Sequence, residues 1–225
     1  MLRPYHGIPI VECGEPLVAI PDRFARVDPP PYLSLGADYA GRSPFMLRSG
    51  VIPALITAED YLIEHYPHYR LQIFDAYRPL SVQKFMVDYT FQQLAQQRGW
   101  QVAHISPQQQ QELTRLVNTF WANPSYDPQT PPPHSTGSAV DLTLITHEGL
   151  PVNMGSPIDE ASQRSFPDYF QHSDPEAHQN RQILYEVMTC AGWTRHPQEW
   201  WHFSLGDQMW AWLKGREARY GRVAD

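Results

Sequence analysis

Two short stretches of this sequence combine side chains that bind metal ions with side chains that move protons. The first is Pro132-Pro133-His134-Ser135-Thr136-Gly137-Ser138-Ala139-Val140-Asp141, in which His134 and Asp141 flank Gly137. Because glycine has no side-chain bulk, the chain can fold back there and aim an imidazole and a carboxylate at one point. Both groups are typical ligands of zinc. Short metal patterns have many false positives, so an alternative stays open in which His134 is a turn residue and Asp141 a buried capping carboxylate.

The second stretch is Glu199-Trp200-Trp201-His202, near the C-terminal end. A catalytic zinc site needs about three protein ligands and an open fourth position, and His202 is the expected third ligand. Glu199 is the expected general base on the attacking water. Residues three apart in a regular strand point to opposite faces, so the two side chains converge only if the chain bends, and Pro197 favours such a bend. The alternative is an aromatic core strand with one exposed Glu and one packed His.

A third stretch, Asp75-Ala76-Tyr77-Arg78-Pro79, supplies a fixed positive charge. Arg78 follows a predicted strand that Pro79 ends, because proline cannot donate to a sheet ladder. A guanidinium at a strand end can stabilise the oxyanion that forms when water adds to a peptide carbonyl. The alternative is a surface salt bridge, with Asp75 as the structural partner of Arg78.

The elements that position these residues follow from hydrophobic spacing and capping signals. Strands are predicted over residues 71–77, 139–145 and 199–205, and residues 1–31 are predicted to be an irregular N-terminal arm packed on the domain. Interleaved strands and helices without a regular βαβ rhythm indicate an α+β fold, with helices packed on a mostly antiparallel central sheet. No linker divides the chain, so residues 1–225 are predicted to form a single domain. Helices are predicted over residues 58–66 (capped by Thr57), 81–97 (capped by Ser81), 107–121 (capped by Ser106), 176–191 and 207–214.

The composition and net charge of the chain argue against some classes of binding partner. The 225 residues are 42% hydrophobic and 18% charged, and their formal net charge of -7 argues against nucleic acid or an anionic membrane as a partner. No apolar run approaches the roughly 20 residues that cross a bilayer, and the first ten residues lack the apolar core of a secretion signal. A cytoplasmic location is therefore expected. Cys13 and Cys190 can form at most one disulfide and are expected to be reduced and buried.

The three stretches closely resemble motifs of the VanX-type D-alanyl-D-alanine dipeptidases, zinc DD-peptidases that share a fold with the Hedgehog signalling domain. The motifs occur in the family's order, and the resemblance spans roughly residues 5 to 220. It implies a Hedgehog/DD-peptidase-like fold and one zinc ion per chain. The roles that it implies are zinc binding by His134, Asp141 and His202, general-base catalysis by Glu199, and transition-state stabilisation by Arg78.

The resemblance also covers Asn153-Met154-Gly155-Ser156-Pro157-Ile158-Asp159, in which it implies that Asp159 approaches the free ammonium group of the substrate. Without the resemblance, Asp159 is a solvated loop acid or a helix cap. The chain departs from the family pattern at Pro132, where many members have a serine two residues before the first zinc ligand. Five further histidines match no ligand position and are expected to be structural or exposed: His104, His147, His172, His178 and His196.

The resulting hypothesis is zinc-dependent hydrolysis of D-Ala-D-Ala or a closely similar D-amino-acid dipeptide, with Glu199 activating the water. The small dipeptide is the expected partner, and the sequence indicates no oligomeric state. Two alternatives stay open. One is a D,D-carboxypeptidase that trims cell-wall stem peptides, and the other is a non-catalytic zinc-binding module, which would need neither Glu199 nor Arg78.

Overall fold

A computed structural model describes residues 3–224. The strands are β1 Leu17–Ala19, β2 Ala25–Arg26, β3 Met46–Arg48, β4 Tyr69–Asp75, β5 Ala139–Thr146, β6 Thr194–Arg195 and β7 His202–Ser204. The α-helices are α1 Pro31–Ser34, α2 Ile52–His65, α3 Leu80–Gln97, α4 Pro107–Phe120, α5 Pro175–Cys190 and α6 Gln208–Lys214.

The main sheet has five strands in the order β2-β4-β5-β7-β6. Among the strands of residues 3–224 in this sheet, only β2 runs parallel to its neighbour, and the pairs from β4 to β6 are antiparallel. Strands β1 and β3 form a separate antiparallel pair. The predicted α+β fold with a mostly antiparallel sheet is confirmed, whereas the single domain over residues 1–225 stays a prediction.

Three predicted helices begin and end close to their predicted residues because their caps form. Ser106 accepts the backbone N–H of Gln109, and the Gln109 side chain accepts the N–H of Ser106, which is a capping box. Asp174 caps α5 through Ala177 N. Asp207 caps α6 through Trp210 N. Each cap satisfies a backbone donor that the helix itself leaves unpaired.

Two predicted helix caps were wrong. Helix α2 begins at Ile52 rather than after Thr57, because Pro53 suits the first turn, where its missing N–H costs nothing. Thr57 lies inside the helix and donates its hydroxyl to Pro53 O. Helix α3 has Pro79 at its N-cap, and Ser81 donates instead to Asp38 O.

The N-terminal arm is more regular than predicted. It contributes β1, which pairs with β3, and β2, which joins the main sheet beside β4. Its first described residues form a 3-10 turn, Pro4–Gly7, and Met1 and Leu2 lie outside the described residues. The arm therefore reaches the sheet that carries the polar motifs.

The buried apolar side chains form two clusters. The larger one packs α2 and α5 against one face of the main sheet and includes Leu62, Leu142 and Trp201. The smaller one joins α1, α3 and α4 through Tyr32, Met86 and Trp121. Cys13 and Cys190 are both free and exposed, so the prediction that they are buried was wrong. Among residues 3–224, every helix is too short or too polar to span a bilayer.

Candidate metal centre and active site

Strand register brings three polar residues into one row across the sheet. Asp75 at the end of β4 is the register partner of Asp141 in β5, and Asp141 is the partner of His202 in β7. A register shift between Ile73 and Asp75 makes the first pairing possible. Cross-strand partners have Cβ atoms about 5 Å apart, so these three side chains are direct neighbours. All three are buried.

His134 reaches this row from a 3-10 turn, Pro133–Thr136, that immediately precedes β5. Strand β3 holds the turn in place, since Arg48 Nε donates to Thr136 O at 2.8 Å and Arg48 N donates to Gly137 O at 2.7 Å. Arg78 N also donates to His134 O at 3.2 Å. The turn is therefore fixed by contacts to its backbone from two separate elements.

The side chains of His134, Asp141 and His202 converge on one point. His134 Nε2 lies 3.0 Å from His202 Nδ1 and 3.1 Å from Asp141 Oδ2, and His202 Nδ1 lies 3.0 Å from Asp141 Oδ1. Ligands bound about 2.0–2.1 Å from a tetrahedral zinc ion lie about 3.3 Å from one another. These separations therefore match those of three ligands on a single ion.

The outer nitrogen of each imidazole is also hydrogen-bonded. His134 Nδ1 lies 2.6 Å from Ala76 O, and His202 Nε2 lies 3.3 Å from Ser204 Oγ. A backbone carbonyl only accepts, so Nδ1 carries the proton of a neutral His134 and Nε2 carries a lone pair. Outer hydrogen bonds of this kind orient metal-binding histidines. The donor set therefore fits a zinc ion.

Electrostatics favour the metal-binding forms of His202 and Asp141. Burial lowers the pKa of His202, which favours the neutral imidazole. Burial alone would raise the pKa of Asp141, but the adjacent imidazoles of His134 and His202 outweigh it and lower that pKa. The predicted metal cluster is thus one carboxylate and two imidazoles in contact.

Gly137 has the conformation that the turn requires. Its φ of +71° lies in the left-handed region, and a Cβ there would collide with Leu17 Cδ2. We expect Gly137→Ala to lower the free energy of unfolding by about 2–5 kcal/mol, from left-handed strain and overpacking together. Gly149 has a φ of +87° with open space where a Cβ would stand. Gly149→Ala therefore adds backbone strain without a collision, and should lower the free energy of unfolding by about 1–2 kcal/mol. The free energies of unfolding of both variants are measured by urea denaturation. Equal destabilisation by Gly137→Ala and Gly149→Ala would contradict a collision between the new Cβ and Leu17.

Glu199 lies beside the metal cluster because the chain bends before β7. The predicted strand over residues 199–205 was too long, since β7 begins at His202 and residues 197–201 form turns and bends. Glu199 Oε2 comes within 3.8 Å of His202 Nδ1. Burial, with the charges of Asp141 and Asp159, raises the pKa of Glu199 well above its usual range. A carboxylate of raised pKa is a better proton acceptor.

Arg78 is buried rather than engaged in a surface salt bridge. Its Nε donates to Asp75 Oδ2 at 2.9 Å, and its Nη2 donates to Asp141 Oδ2 at 3.0 Å and to Tyr32 OH at 2.9 Å. Nη1 donates to Gln83 Oε1 at 3.2 Å. A guanidinium has five N–H groups, so one N–H on Nη1 is left for a bound molecule.

Asp159 approaches the site from the loop after β5 and accepts a hydrogen bond from Tyr32 OH at 2.8 Å. Burial and the charge of Asp141 raise the pKa of Asp159 to about 7. Buried Arg181 in α5 holds this loop by donating to Met154 O, Phe166 O and Ser156 Oγ at 2.7–2.9 Å. Asp159 also has a φ of +65°, which is uncommon outside glycine.

The six sequence-predicted site residues all line one cavity, and His196 joins them there. His196 was expected to be structural or exposed, yet its Nδ1 lies 3.6 Å from Glu199 Oε1. Sequence reasoning also missed Arg3, Tyr5 and Tyr32, because they lie in or next to the N-terminal arm and no motif marks them. The lining residues include Arg3, Tyr5, Arg78, Gln83, Trp121, His134, Asp141, Asp159, His196, Glu199 and His202.

Pro132 stands at the start of the 3-10 turn, and its carbonyl accepts from Ser135 N at 3.0 Å and Ser135 Oγ at 2.7 Å. A proline here suits a turn start, where its missing N–H has no partner to lose. The departure from the family pattern therefore leaves the turn intact and removes a side-chain hydroxyl.

Known proteins match this chain over most of its length. The D-Ala-D-Ala dipeptidase profile of peptidase family M15 matches residues 26–220. The chain belongs to this family. The D-alanyl-D-alanine dipeptidase of Synechocystis sp. is 44% identical over 240 residues, covering 99% of this chain and 97% of that relative. The Escherichia coli K12 D-alanyl-D-alanine dipeptidase is 32% identical over 160 residues, covering 71% of this chain and 66% of that relative.

Among solved structures, VanYB in complex with D-alanine-D-alanine aligns with a TM-score of 0.47 and 13% identity over 93% of each chain. The resemblance inferred from the three motifs is confirmed by the family match. The M15 family is one of zinc metallopeptidases, so the chain is a hydrolase of that class.

Proposed function

We propose that this M15 family member hydrolyses D-Ala-D-Ala, with His134, Asp141 and His202 holding one zinc ion. The observation that carries the proposal is the convergence of two imidazole nitrogens and a carboxylate within 4.8 Å of one another, directly beside buried Glu199. A structural zinc site is closed by four protein ligands, whereas three ligands leave a position open for water. Glu199 and Arg78 beside that position favour catalysis over a non-catalytic module.

A zinc ion held there supplies a Lewis acid that lowers the pKa of water and polarises a carbonyl. Glu199 accepts a proton from the attacking water and later delivers it to the amine nitrogen of the leaving D-alanine. Its raised pKa suits both steps of this transfer, because it makes the ionised carboxylate a stronger proton acceptor and favours the protonated form that later donates to the amine.

Arg78 donates its remaining Nη1 N–H to the oxygen that gains negative charge as the carbonyl becomes tetrahedral. Such pre-positioned donors act strongly in a buried site, because they need no reorganisation during the reaction. Asp75 and Gln83 fix the guanidinium plane, with bonds of 2.9 Å and 3.2 Å.

Asp159 binds the free ammonium group of the dipeptide. Its carboxylate lies on the wall of the same cavity as the metal cluster, and Tyr32 orients it. A substrate with further residues before the first D-alanine would carry an amide in place of that ammonium and lose the ion pair. This contact therefore favours dipeptides over stem peptides.

The role of Asp159 predicts a pH dependence of binding. With a pKa of about 7, Asp159 is neutral at low pH, and only its ionised form attracts an ammonium. Its ionised fraction therefore rises as the pH is raised from 6 to 7.5, so the Kd for D-Ala-D-Ala should fall over that range. The measurement is calorimetric binding to zinc-loaded Glu199→Gln, which does not consume the ligand.

Asp159→Asn should remove this pH dependence and weaken binding at pH 7.5. Asp168→Asn is the matched control, because Asp168 is exposed on the same loop. An unchanged pH profile in Asp159→Asn would show that another group binds the ammonium.

One panel tests the proposed function. Zinc-loaded protein is incubated with D-Ala-D-Ala, L-Ala-L-Ala and a pentapeptide that ends in D-Ala-D-Ala, and released alanine is measured. We expect cleavage of D-Ala-D-Ala alone and loss of that activity with a zinc chelator. Cleavage of the pentapeptide would favour a D,D-carboxypeptidase, and cleavage of nothing would favour a non-catalytic zinc module. The cytoplasmic location stays a prediction.

A further inference from the structure

The proposed substrate is a zwitterion, and Asp159 pairs with only one of its two charges. The C-terminal carboxylate still needs a cation or several hydrogen-bond donors. The cationic side chains among the described residues that line the cavity, apart from histidine, are Arg3 and Arg78. Carboxylate recognition must therefore come from one of these two or from neutral donors.

Arg78 already forms ion pairs with other side chains of the site. It contacts Asp75 and Asp141, so two carboxylates already offset its charge. Its one remaining N–H faces the developing oxyanion in the proposed mechanism. A second anion at Arg78 would compete with Asp141, which is a proposed metal ligand.

Arg3 is held at the same cavity with donors to spare. Its Nη2 donates to Asn118 O at 2.6 Å and to Trp121 O at 3.3 Å, which are carbonyls at the C-terminal end of α4. Carbonyls at a helix C-terminus stabilise a cation there. In the described part of the chain, neither Nε nor Nη1 of Arg3 has a hydrogen-bond partner, and no carboxylate lies within ion-pair distance of Arg3, although its charge acts on nearby Glu199. A guanidinium with free N–H groups can bind a carboxylate in a bidentate way.

Tyr5 adds a second donor from the same turn. Its side chain lines the cavity and is only 6% exposed, yet within residues 3–224 its hydroxyl makes no hydrogen bond. The hydroxyl is not sealed from the cavity, so it can donate a hydrogen bond to a molecule bound there. Arg3 and Tyr5 lie two residues apart on the segment that leads into and forms the 3-10 turn Pro4–Gly7.

The arm that carries both residues is tied to the C-terminal part of the fold. Gln208 Nε2 donates to Ile8 O at 2.8 Å, and Val11 N donates to Ala218 O at 2.8 Å. Arg3 N is itself bonded to His6 Nδ1 at 3.2 Å. The turn is thus anchored at several points and presents a pre-positioned cation.

We infer that Arg3 and Tyr5 form the binding site for the C-terminal carboxylate of the dipeptide, with the guanidinium as the main recognition group. This inference rests on the proposed function. It makes the N-terminal arm part of the substrate site and explains how a zwitterion can be held at both ends. It also predicts that the enzyme discriminates against substrates whose C-terminal carboxylate is masked.

The test measures binding of D-Ala-D-Ala and of its C-terminal amide to zinc-loaded Glu199→Gln, with and without Arg3→Gln. The parent should bind the acid about 10- to 100-fold more tightly than the amide, which is the usual size of a charge-assisted contact. Arg3→Gln should abolish that preference by weakening the acid alone. Tyr5→Phe keeps the ring and should weaken the acid about three- to tenfold.

Arg115→Gln is the control, since it removes the same charge from an exposed position on α4. A purely structural role for Arg3 would weaken acid and amide equally and lower the melting temperature, which would overturn the inference. An acid preference that survives Arg3→Gln would also overturn it. If wild-type protein cleaves no dipeptide and the parent binds neither ligand, the proposed function itself has failed, which is a distinguishable result.

Discussion

Replacing Glu199 with glutamine is expected to lower kcat for D-Ala-D-Ala by about 10²- to 10⁴-fold, the usual contribution of a general base. The amide has nearly the same shape as the carboxylate but cannot accept the proton of the attacking water. Because Glu199 lies 3.8 Å from His202 Nδ1 and is not one of the three converging ligands, the variant should keep its zinc ion. Steady-state kinetics test the expected fall in kcat, and metal analysis of the same preparation tests whether zinc is retained.

Glu148→Gln is the matched control, since Glu148 is exposed on the turn after β5 and 60% of its side chain is accessible. It should leave kcat unchanged. Full activity in Glu199→Gln would refute the assignment of Glu199 as the base. Loss of zinc together with activity would instead make Glu199 a metal ligand.

Replacing His202 with alanine is expected to remove zinc binding and at least about a thousandfold of the activity, since a Lewis acid contributes several kcal/mol to the transition state. The substitution deletes one of three ligands and leaves His134 and Asp141 facing an open space. The metal content after dialysis and the zinc Kd at fixed pH are the measurements.

The control for this variant is His104→Ala, because His104 is exposed on a 3-10 turn outside the cavity. It should retain one zinc ion per chain. Zinc retained by His202→Ala at wild-type affinity would place the metal elsewhere.

The sequence could predict those parts of the site whose residues lie together in short motifs. His134, Asp141, Glu199 and His202 lie in two short stretches whose residue types already indicate metal chemistry, and the structure brings them together. The bend that Pro197 favours is present, although it shortens the predicted strand.

Other features of the site depend on contacts between residues far apart in the sequence, and no local sequence pattern indicates them. Asp75 meets Asp141 only because the register of β4 and β5 shifts after Ile73. Arg3 reaches the end of α4 across 115 residues of sequence. His196 has no motif of its own, and its place beside Glu199 follows from the turn that joins β6 to β7. Hydrophobic periodicity does not specify such register and packing choices.

The most direct test of the proposed zinc site is a crystal structure of zinc-loaded Glu199→Gln with D-Ala-D-Ala, with anomalous scattering recorded at the zinc edge. We predict one anomalous peak bonded to His134 Nε2, Asp141 and His202 Nδ1, with the dipeptide ammonium at Asp159. A peak at other side chains, or an ordered dipeptide away from these residues, would contradict the proposed site.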